Sequence, residues 1–252
     1  MPEGDTVWRA ARTLHGALAG RVLVRGDLRV PRFATSDLTG RAVLDVTPRG
    51  KHLMTRVEGG LTLHSHLGME GAWKVYAPGR RWGGGPAHEI RAILGVESAT
   101  AVAYRLKVLE LVRTEREAAV VGHLGPDLLG PDWDAELALA NLLAEPERPV
   151  GEALLDQRNL AGIGNIFKSE ACFVARAHPW SPVGAVRGPE RLVEAARRLL
   201  ELNKRVSSGS RRLHVFGRRS LPCPRCRTLI RKDPQLDRPT YWCPRCQPPP
   251  AP

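Results

Sequence analysis

The chain has 252 residues, of which 42% are hydrophobic and 25% charged, so it can bury a core in one large domain or two modest ones. It contains no apolar run as long as a membrane span, and its acidic start lacks the apolar segment of a secretory signal. These features exclude membrane-spanning classes, and we expect a soluble, intracellular protein.

The formal charge of +12 is concentrated near the C-terminus. Residues 203–246 contain 12 of the 38 Lys and Arg but only 2 of the 26 Asp and Glu, a net charge of +10. A local excess of this size suits a polyanion such as nucleic acid. Genome base composition can explain the preference for Arg over Lys, but it does not explain the clustering.

The first candidate site is the start of the chain. Once Met1 is removed, Pro2 carries a free secondary amine, and the carboxylate of Glu3 lies beside it. Such an amine can act as a nucleophile. A helix that follows directly would favour the neutral amine and attract phosphate through its positive end. The alternative is an ordinary loose terminus.

The first half of the chain reads as one helix followed by short strands. Helical spacing predicts a helix to about residue 19, with Asp5 or Thr6 as its cap and Gly20 after its end. Eight short strands at regular spacing predict a β-sandwich or a barrel. The predicted strands cover residues 21–25, 42–47, 52–57, 61–66, 72–75, 90–94, 99–104 and 108–112. Residues 48–51 read as a turn with Lys51 at its exit, and residues 80–86 as a flexible loop.

The second half reads as helical, with a Cys-rich end. Helices are predicted over 132–144, 150–156, 165–175 and 189–206, and residues 207–210 form a loop or hinge. We therefore expect an α+β multidomain protein with a β-sandwich or barrel over 1–121, a helical domain over 122–210, a metal-binding module over 211–247 and a disordered tail over 248–252.

Four of the five cysteines form two Cys-Pro-Arg-Cys knuckles that are separated by sixteen residues. Two such pairs can close a tetrahedral zinc site, and four thiolates leave no open position for catalysis. We therefore expect one structural Zn²⁺ and no organic cofactor. The zinc ligands would be Cys223, Cys226, Cys243 and Cys246. The fifth, Cys172, lies at helical spacing and reads as a buried core residue.

Further candidates lie in loops. Gly162 and Gly164 precede a helix that Asn165 can cap, an arrangement that can bind phosphate or can simply be a tight turn. Arg238 lies at the turn of a predicted two-stranded ribbon between the knuckles, where it can face a phosphate or belong to a solvated loop. His64 and His66 alternate on one strand, as a hydrogen-bonded pair or, with a third ligand, as metal ligands.

Taken together, these motifs resemble the formamidopyrimidine-DNA glycosylase / endonuclease VIII family of base-excision repair. The Pro-Glu-Gly start, Lys51 after a turn, the Gly-Ile-Gly-Asn helix entry and the Cys-rich finger occur in that order from residue 2 to 246. The start looks most like the actinobacterial members of the endonuclease VIII branch. The resemblance implies an N-terminal β-sandwich, a central domain with a helix–two-turns–helix motif and a zinc finger, and it implies a monomer on damaged DNA in the bacterial nucleoid.

The resemblance also implies roles for matching residues. Pro2 would be the nucleophile that forms a Schiff base at C1′ of the damaged nucleotide, Glu3 the acid/base and Lys51 the assisting cation. Asn165 and Arg238 match residues that grip DNA phosphates. The implied activity is a bifunctional glycosylase and abasic-site lyase that ends in β,δ-elimination.

Two departures bear on the substrate. The Asp-Pro-Arg-Arg-Phe-Gly loop of the oxidised-purine branch is absent near residues 104–108, and the Gln-Leu-Tyr wedge of endonuclease VIII is replaced by residues 66–69. Met69 matches the purine branch's wedge position and can insert into a base stack or fill a core. We favour oxidised pyrimidines as substrates; the alternatives are an oxidised-purine glycosylase, a catalytically silent DNA-binding protein and an RNA-binding zinc-ribbon protein.

Overall fold

The computed structural model describes residues 2–206 and 210–249, and the chain divides into two compact units, 1–123 and 124–252. Met1, part of the hinge predicted at 207–210 and the end of the tail predicted at 248–252 lie outside the described residues. No helix in the described part of the chain has both the length and the apolar character that crossing a membrane requires.

The first unit is a sandwich of two antiparallel sheets with a helix, α1 (Gly4–Leu18), against it. One sheet has the order β1-β6-β7-β5 and the other β2-β3-β4-β8. Leucine and valine side chains from the facing sides of both sheets form the core, to which α1 adds Val7, Ala11, Leu14 and Leu18. The strands are β1 (Arg25–Leu28), β2 (Val43–Arg49), β3 (His52–Val57), β4 (Leu61–His66), β5 (Ala72–Tyr76), β6 (Ile90–Val96), β7 (Ala99–Tyr104) and β8 (Val108–Arg113).

The eight-strand sandwich was predicted, but three local details were not. The first strand lies four residues later than expected, because Val22 and Val24 are more than half exposed and Val22 forms only an isolated bridge with Ala42. The turn between β2 and β3 is shorter than predicted, since Arg49 pairs with His52. A short helix after β8, α2 (Glu117–Val121), was missed; three-residue 3-10 turns lie at Pro31–Phe33, Ala87–Glu89 and Thr114–Arg116.

The second unit packs four helices around one core and adds a β-ribbon. Its elements are α3 (Ala135–Leu143), α4 (Val150–Leu155), a 3-10 turn (Val183–Ala185), α5 (Asn165–Val174), α6 (Glu190–Asn203), β9 (Arg231–Gln235) and β10 (Arg238–Trp242). Asp134 caps α3 by accepting the Leu137 amide at 2.9 Å, which is why this helix begins three residues later than predicted. Cys172 is fully buried in the helical core, as predicted, and burial raises the pKa of its thiol to about 12.

Candidate functional site

Pro2 and Glu3 lie directly before the first turn of α1. Glu3 is the N-cap residue, and its carbonyl accepts the amides of Thr6 at 2.9 Å and Val7 at 3.0 Å. The prediction that Asp5 or Thr6 caps the helix was therefore wrong. Asp5 is buried in the first turn, where its carboxylate pairs with Arg9 one turn further on at 3.2 Å. Glu3 is fully buried and Pro2 half-buried, so the positive end of α1 acts on both.

Lys51 lies in the two-residue turn between β2 and β3. Gly50 occupies the first turn position at φ +57°, a backbone conformation that a side chain would strain. Lys51 is half-buried, and its positive charge contributes, after burial itself, to lowering the pKa values of His52 and His66. The turn thus holds a lysine among imidazoles, within the same unit as Pro2 and Glu3.

The two histidines of β4 do not form a hydrogen-bonded pair with each other. His64 bonds to His52 of β3 at 2.8 Å between ring nitrogens, whereas His66 accepts the amide of Gly68 at 3.0 Å. Within residues 2–206 and 210–249, the group of side chains suited to a metal is the four-cysteine cluster, and the histidines are not part of it. Met69 lies in the turn after β4 with 64% of its surface exposed, so it is not core filling.

Asn165 opens α5 but does not cap it. Gly164 is the N-cap residue, so the capping prediction was wrong. The Asn165 side chain is fully buried, and its Nδ2 donates to the backbone carbonyl of Pro239 at 2.8 Å. Its Oδ1 is buried and has no hydrogen-bond partner among the described residues. The amide therefore connects the start of α5 to the ribbon.

The loop before α5 is fixed by Gln157. Its Nε2 donates to the carbonyl of Ile163 and its Oε1 accepts the amide of Gly162, both at 3.0 Å. Gly162 has φ +103°, which explains a glycine at that position.

Arg238 is exposed at the first position of β10, where it pairs with Gln235 across the turn. The ribbon beneath it is anchored by buried polar groups. Gln235 donates to the Pro179 carbonyl at 2.9 Å, and Lys168 of α5, itself fully buried, contacts the side chains of Gln235 and Thr240. A Cβ at Gly151 would lie 2.1 Å from Oε1 of Gln235, so a glycine there leaves room for this contact.

Sequence reasoning missed Glu170, which fixes the segment that leads into the finger. Its fully buried carboxylate accepts the amides of His214 and Val215 at 2.8 Å and of Phe216 at 2.9 Å. It also bonds to Nδ1 of His214 at 2.8 Å. The only signal in the sequence was an acidic residue inside an apolar helical pattern, because the segment that it binds lies 44 residues later.

The four knuckle cysteines converge as predicted, with ligand atoms that all lie within 4.8 Å of one another. The Sγ atoms of Cys223 and Cys246 are 3.9 Å apart, and those of Cys226 and Cys243 are 3.5 Å apart. A tetrahedron with Zn–S bonds of about 2.3 Å requires roughly 3.8 Å between sulfurs. Burial and the neighbouring thiols raise the pKa of Cys246 to about 12, whereas a hydrogen bond with Thr228 lowers the pKa of Cys226 to about 6, and a bound cation would favour the ionised form of all four. The cluster therefore fits a tetrahedral metal.

The described residues define a multidomain α+β protein with a β-sandwich that begins with a helix, a helical unit and a ribbon that carries a four-cysteine metal site. Three family descriptions match the chain in succession: the formamidopyrimidine-DNA glycosylase N-terminal domain at residues 1–123, the formamidopyrimidine-DNA glycosylase H2TH domain at 124–210, and the zinc finger found in FPG and IleRS at 220–249. The chain belongs to the formamidopyrimidine-DNA glycosylase / endonuclease VIII family, as its motifs predicted.

Individual relatives in this family are similar to the chain over nearly its whole length. "Probable endonuclease 8 2" of Streptomyces coelicolor is 64% identical and is matched over 100% of this chain and 96% of its own length. "DNA-(apurinic or apyrimidinic site) lyase Nei2" of Mycolicibacterium smegmatis is 46% identical over 98% of this chain and 99% of its own. A crystal structure of Lactococcus lactis formamidopyrimidine-DNA glycosylase, bound to DNA with an abasic site, shares the fold at a TM-score of 0.85, with 23% identity over 98% of this chain and 100% of that one.

Proposed function

We propose that the chain is a bifunctional enzyme of base-excision repair, a DNA glycosylase that is also an abasic-site lyase. The observation that carries the proposal is the start of the chain, where Pro2 and the buried Glu3 lie at the positive end of α1 in a protein that matches a relative named as a lyase from end to end. The positive end of the helix favours the neutral amine that nucleophilic attack requires.

The chemistry follows from the secondary amine of Pro2. Its nitrogen forms a bond to C1′ as the bond from C1′ to the damaged base breaks, and Glu3 in its protonated form donates to O4′ as the sugar ring opens. The resulting iminium has no N–H proton to lose, so it remains cationic and draws electrons from C2′. Loss of a C2′ proton then breaks the bond to the 3′ phosphate, and a second elimination releases the 5′ phosphate.

The remaining residues bind and position DNA. Lys51 holds a phosphate or helps to protonate the leaving group, and Arg238 forms charge-assisted hydrogen bonds to the backbone. Asn165 grips a phosphate through Nδ2 when the Pro239 carbonyl releases it. Met69 fills the space that the extruded nucleotide leaves in the stack, since an exposed apolar side chain on a turn suits such a wedge.

Zinc stabilises the finger that presents Arg238. Cys223, Cys226, Cys243 and Cys246 hold one structural ion with no open position, and the metal contributes the folding energy that so small a core lacks. The enzyme acts as a monomer on damaged DNA in the bacterial cytoplasm, associated with the nucleoid. Its functional divisions are the catalytic sandwich over 1–121, the DNA-binding helical domain over 122–210 and the finger over 211–247.

Oxidised pyrimidines are the favoured substrates. Support comes from the 64% identity to a protein named as an endonuclease 8 and from the absence of the purine branch's Asp-Pro-Arg-Arg-Phe-Gly loop. Met69, at the purine branch's wedge position, favours oxidised purines as the second candidate. A panel of oligonucleotides with single defined lesions decides between them by relative rates of base release.

Borohydride trapping on abasic DNA tests the proposed chemistry. We expect a covalent protein–DNA adduct with the chain whose Met1 has been removed, which intact mass identifies. The matched control carries a cleavable tag before Pro2: uncut, Pro2 is a tertiary amide and forms no adduct, and cutting to free Pro2 restores it. An adduct of equal yield in the uncut protein, or none after cutting, would overturn the assignment of Pro2.

A further inference from the structure

One face of the β2-β3-β4-β8 sheet carries a connected row of polar side chains that leads away from Lys51. Antiparallel register places His52 opposite His66 and His64 opposite Glu110. Side chains directly opposite one another lie on the same face, and His52 and His64 are diagonal neighbours on it. The register therefore brings together His52, His64 and Glu110, which are distant in sequence.

These three side chains form a continuous hydrogen-bonded chain. Nδ1 of His52 lies 2.8 Å from Nε2 of His64, and Nδ1 of His64 lies 3.4 Å from the carboxylate of Glu110. His64 is 3% exposed, whereas the Glu110 side chain is 39% exposed. The chain thus runs from the half-buried His52, the neighbour of Lys51, through a buried imidazole to a carboxylate in contact with water.

The hydrogen bonds determine which nitrogens carry protons. A carboxylate can only accept, so Nδ1 of His64 carries a proton and its Nε2 is an acceptor. Nδ1 of His52 must then be the donor, which leaves a lone pair on Nε2 of His52. His66 has the opposite tautomer, since its Nδ1 accepts the Gly68 amide and its Nε2 therefore carries the proton.

The surroundings keep all three imidazoles neutral. Burial, together with the charges of His64, His66, His123 and Lys51, lowers the pKa of His52 to about 3. Burial, with Lys51 and Lys107, lowers the pKa of His66 to about 4, and burial also lowers the pKa of His64 despite Glu110. His52 directly follows Lys51 in the chain, and its neutral ring can accept a proton at the lone pair on Nε2, while imidazolium itself does not accumulate.

From this geometry we propose that Glu110, His64 and His52 form a proton relay that carries protons from the Lys51 turn to solvent. A proton accepted at Nε2 of His52 is balanced by transfer of its Nδ1 proton to Nε2 of His64, and of the His64 Nδ1 proton to Glu110, which releases it to water. Neither ring gains a net proton, but both change tautomer, and the relay accepts a second proton once both rings have returned to their starting tautomers. The proposal rests on the proposed lyase function, in which the first elimination frees a proton from C2′ and the second frees one from C4′, and both have to leave the site.

Two substitutions break the relay at different points. Glu110→Gln keeps the size of the side chain, but the glutamine amide cannot accept a proton. Because Glu110 is partly exposed, the substitution disturbs the fold little. His64→Gln interrupts the middle. We expect both variants to form the trapped Pro2 adduct at the wild-type rate. Their single-turnover elimination rates should be lower than that of the wild type by about 10-fold or more. Glu97→Gln, an exposed change of the same charge in the turn between β6 and β7, is the matched control and keeps the wild-type rate.

Chemical rescue separates a proton relay from a structural role. Formate or acetate should restore elimination in Glu110→Ala, because a small carboxylate can take the exposed position, and should not restore it in His64→Gln. Elimination rates in Glu110→Gln and His64→Gln equal to that of Glu97→Gln would overturn the relay, as would an equal loss of trapping and elimination. Failure of the wild type to form any adduct would instead overturn the proposed lyase function.

Discussion

The side-chain amide of Asn165 reaches 74 residues along the chain to donate a 2.8 Å hydrogen bond to the backbone carbonyl of Pro239. Pro239 follows Arg238 directly, so this bond fixes the exposed guanidinium relative to the first turn of α5. Lys168, one turn further along α5, makes a second connection to the same ribbon through Gln235 and Thr240. The Lys168 contacts remain when the Asn165 amide turns to a phosphate, so they reduce the ordering that DNA binding would otherwise require.

The first prediction concerns Arg238. If it contacts a phosphate, Arg238→Ala weakens DNA binding by a similar factor for every lesion and lowers the slope of log K against log salt by about one unit. Arg245→Ala is the control, because Arg245 is an exposed arginine of the second knuckle and its replacement removes the same charge. Fluorescence anisotropy across salt concentrations measures both slopes. A loss confined to one lesion would mean that Arg238 reads the base instead.

The second prediction concerns Glu170. Glu170→Gln replaces an acceptor of three backbone amides with a group that can accept through one oxygen only, which leaves buried donors unsatisfied. We expect a loss of about 2–3 kcal/mol in the free energy of unfolding. Urea unfolding measures it, with Glu194→Gln on the exposed side of α6 as the control. Equal midpoints for the two variants would contradict the structural role of Glu170.

Local patterns were sufficient to predict most elements of the fold, and tertiary contacts explain the misses. Short β-like runs broken by Gly, Pro and Asp located seven of the eight strands closely. The helix α2 has only five residues, and it is fixed by the Glu117 carboxylate, which bonds to Arg56 and Thr62. No local pattern reveals such a contact across more than fifty residues.

In the candidate site, too, local patterns predicted some features, and tertiary contacts determine the others. The four cysteines were predicted from spacing alone because the knuckles themselves bring the ligand atoms together. Asn165 had a sequence typical of a cap, yet its side chain turns to the ribbon because the Pro239 carbonyl lies within reach. The link between His64 and Glu110 depends on the register of β4 and β8, which a single sequence does not specify.

The third prediction concerns the metal. One zinc per chain is expected by elemental analysis, and Cys226→Ser should lose it together with DNA affinity, because the ribbon depends on metal for part of its folding energy. Cys172→Ser is the control, since it also removes a thiol but lies in the helical core. Zinc retained at one equivalent in Cys226→Ser would mean that the cluster is not the binding site.

The fourth prediction concerns acid stability. In the native protein the pKa values of His52 and His66 are lowered to about 3 and about 4, so both side chains stay neutral until the pH falls to those values. In the unfolded chain the same side chains bind protons near the ordinary histidine pKa of 6.5. The unfolded state therefore binds more protons as the pH falls below about 6.5, and the free energy of unfolding decreases by up to about 1.4 kcal/mol per pH unit for each histidine.

Carboxylates with lowered pKa values, such as Asp156 and Glu117, affect the free energy of unfolding only below about pH 4.5, so the window between pH 4.5 and 6.5 isolates the contribution of the histidines. Urea unfolding across this window should show a shallower slope for His52→Gln than for the wild type, with His88→Gln, the same change at an exposed histidine, as the matched control. Parallel slopes for His52→Gln and the wild type would mean that His52 is protonated in the native protein, and the tautomers assigned to the Glu110, His64 and His52 chain would then be wrong.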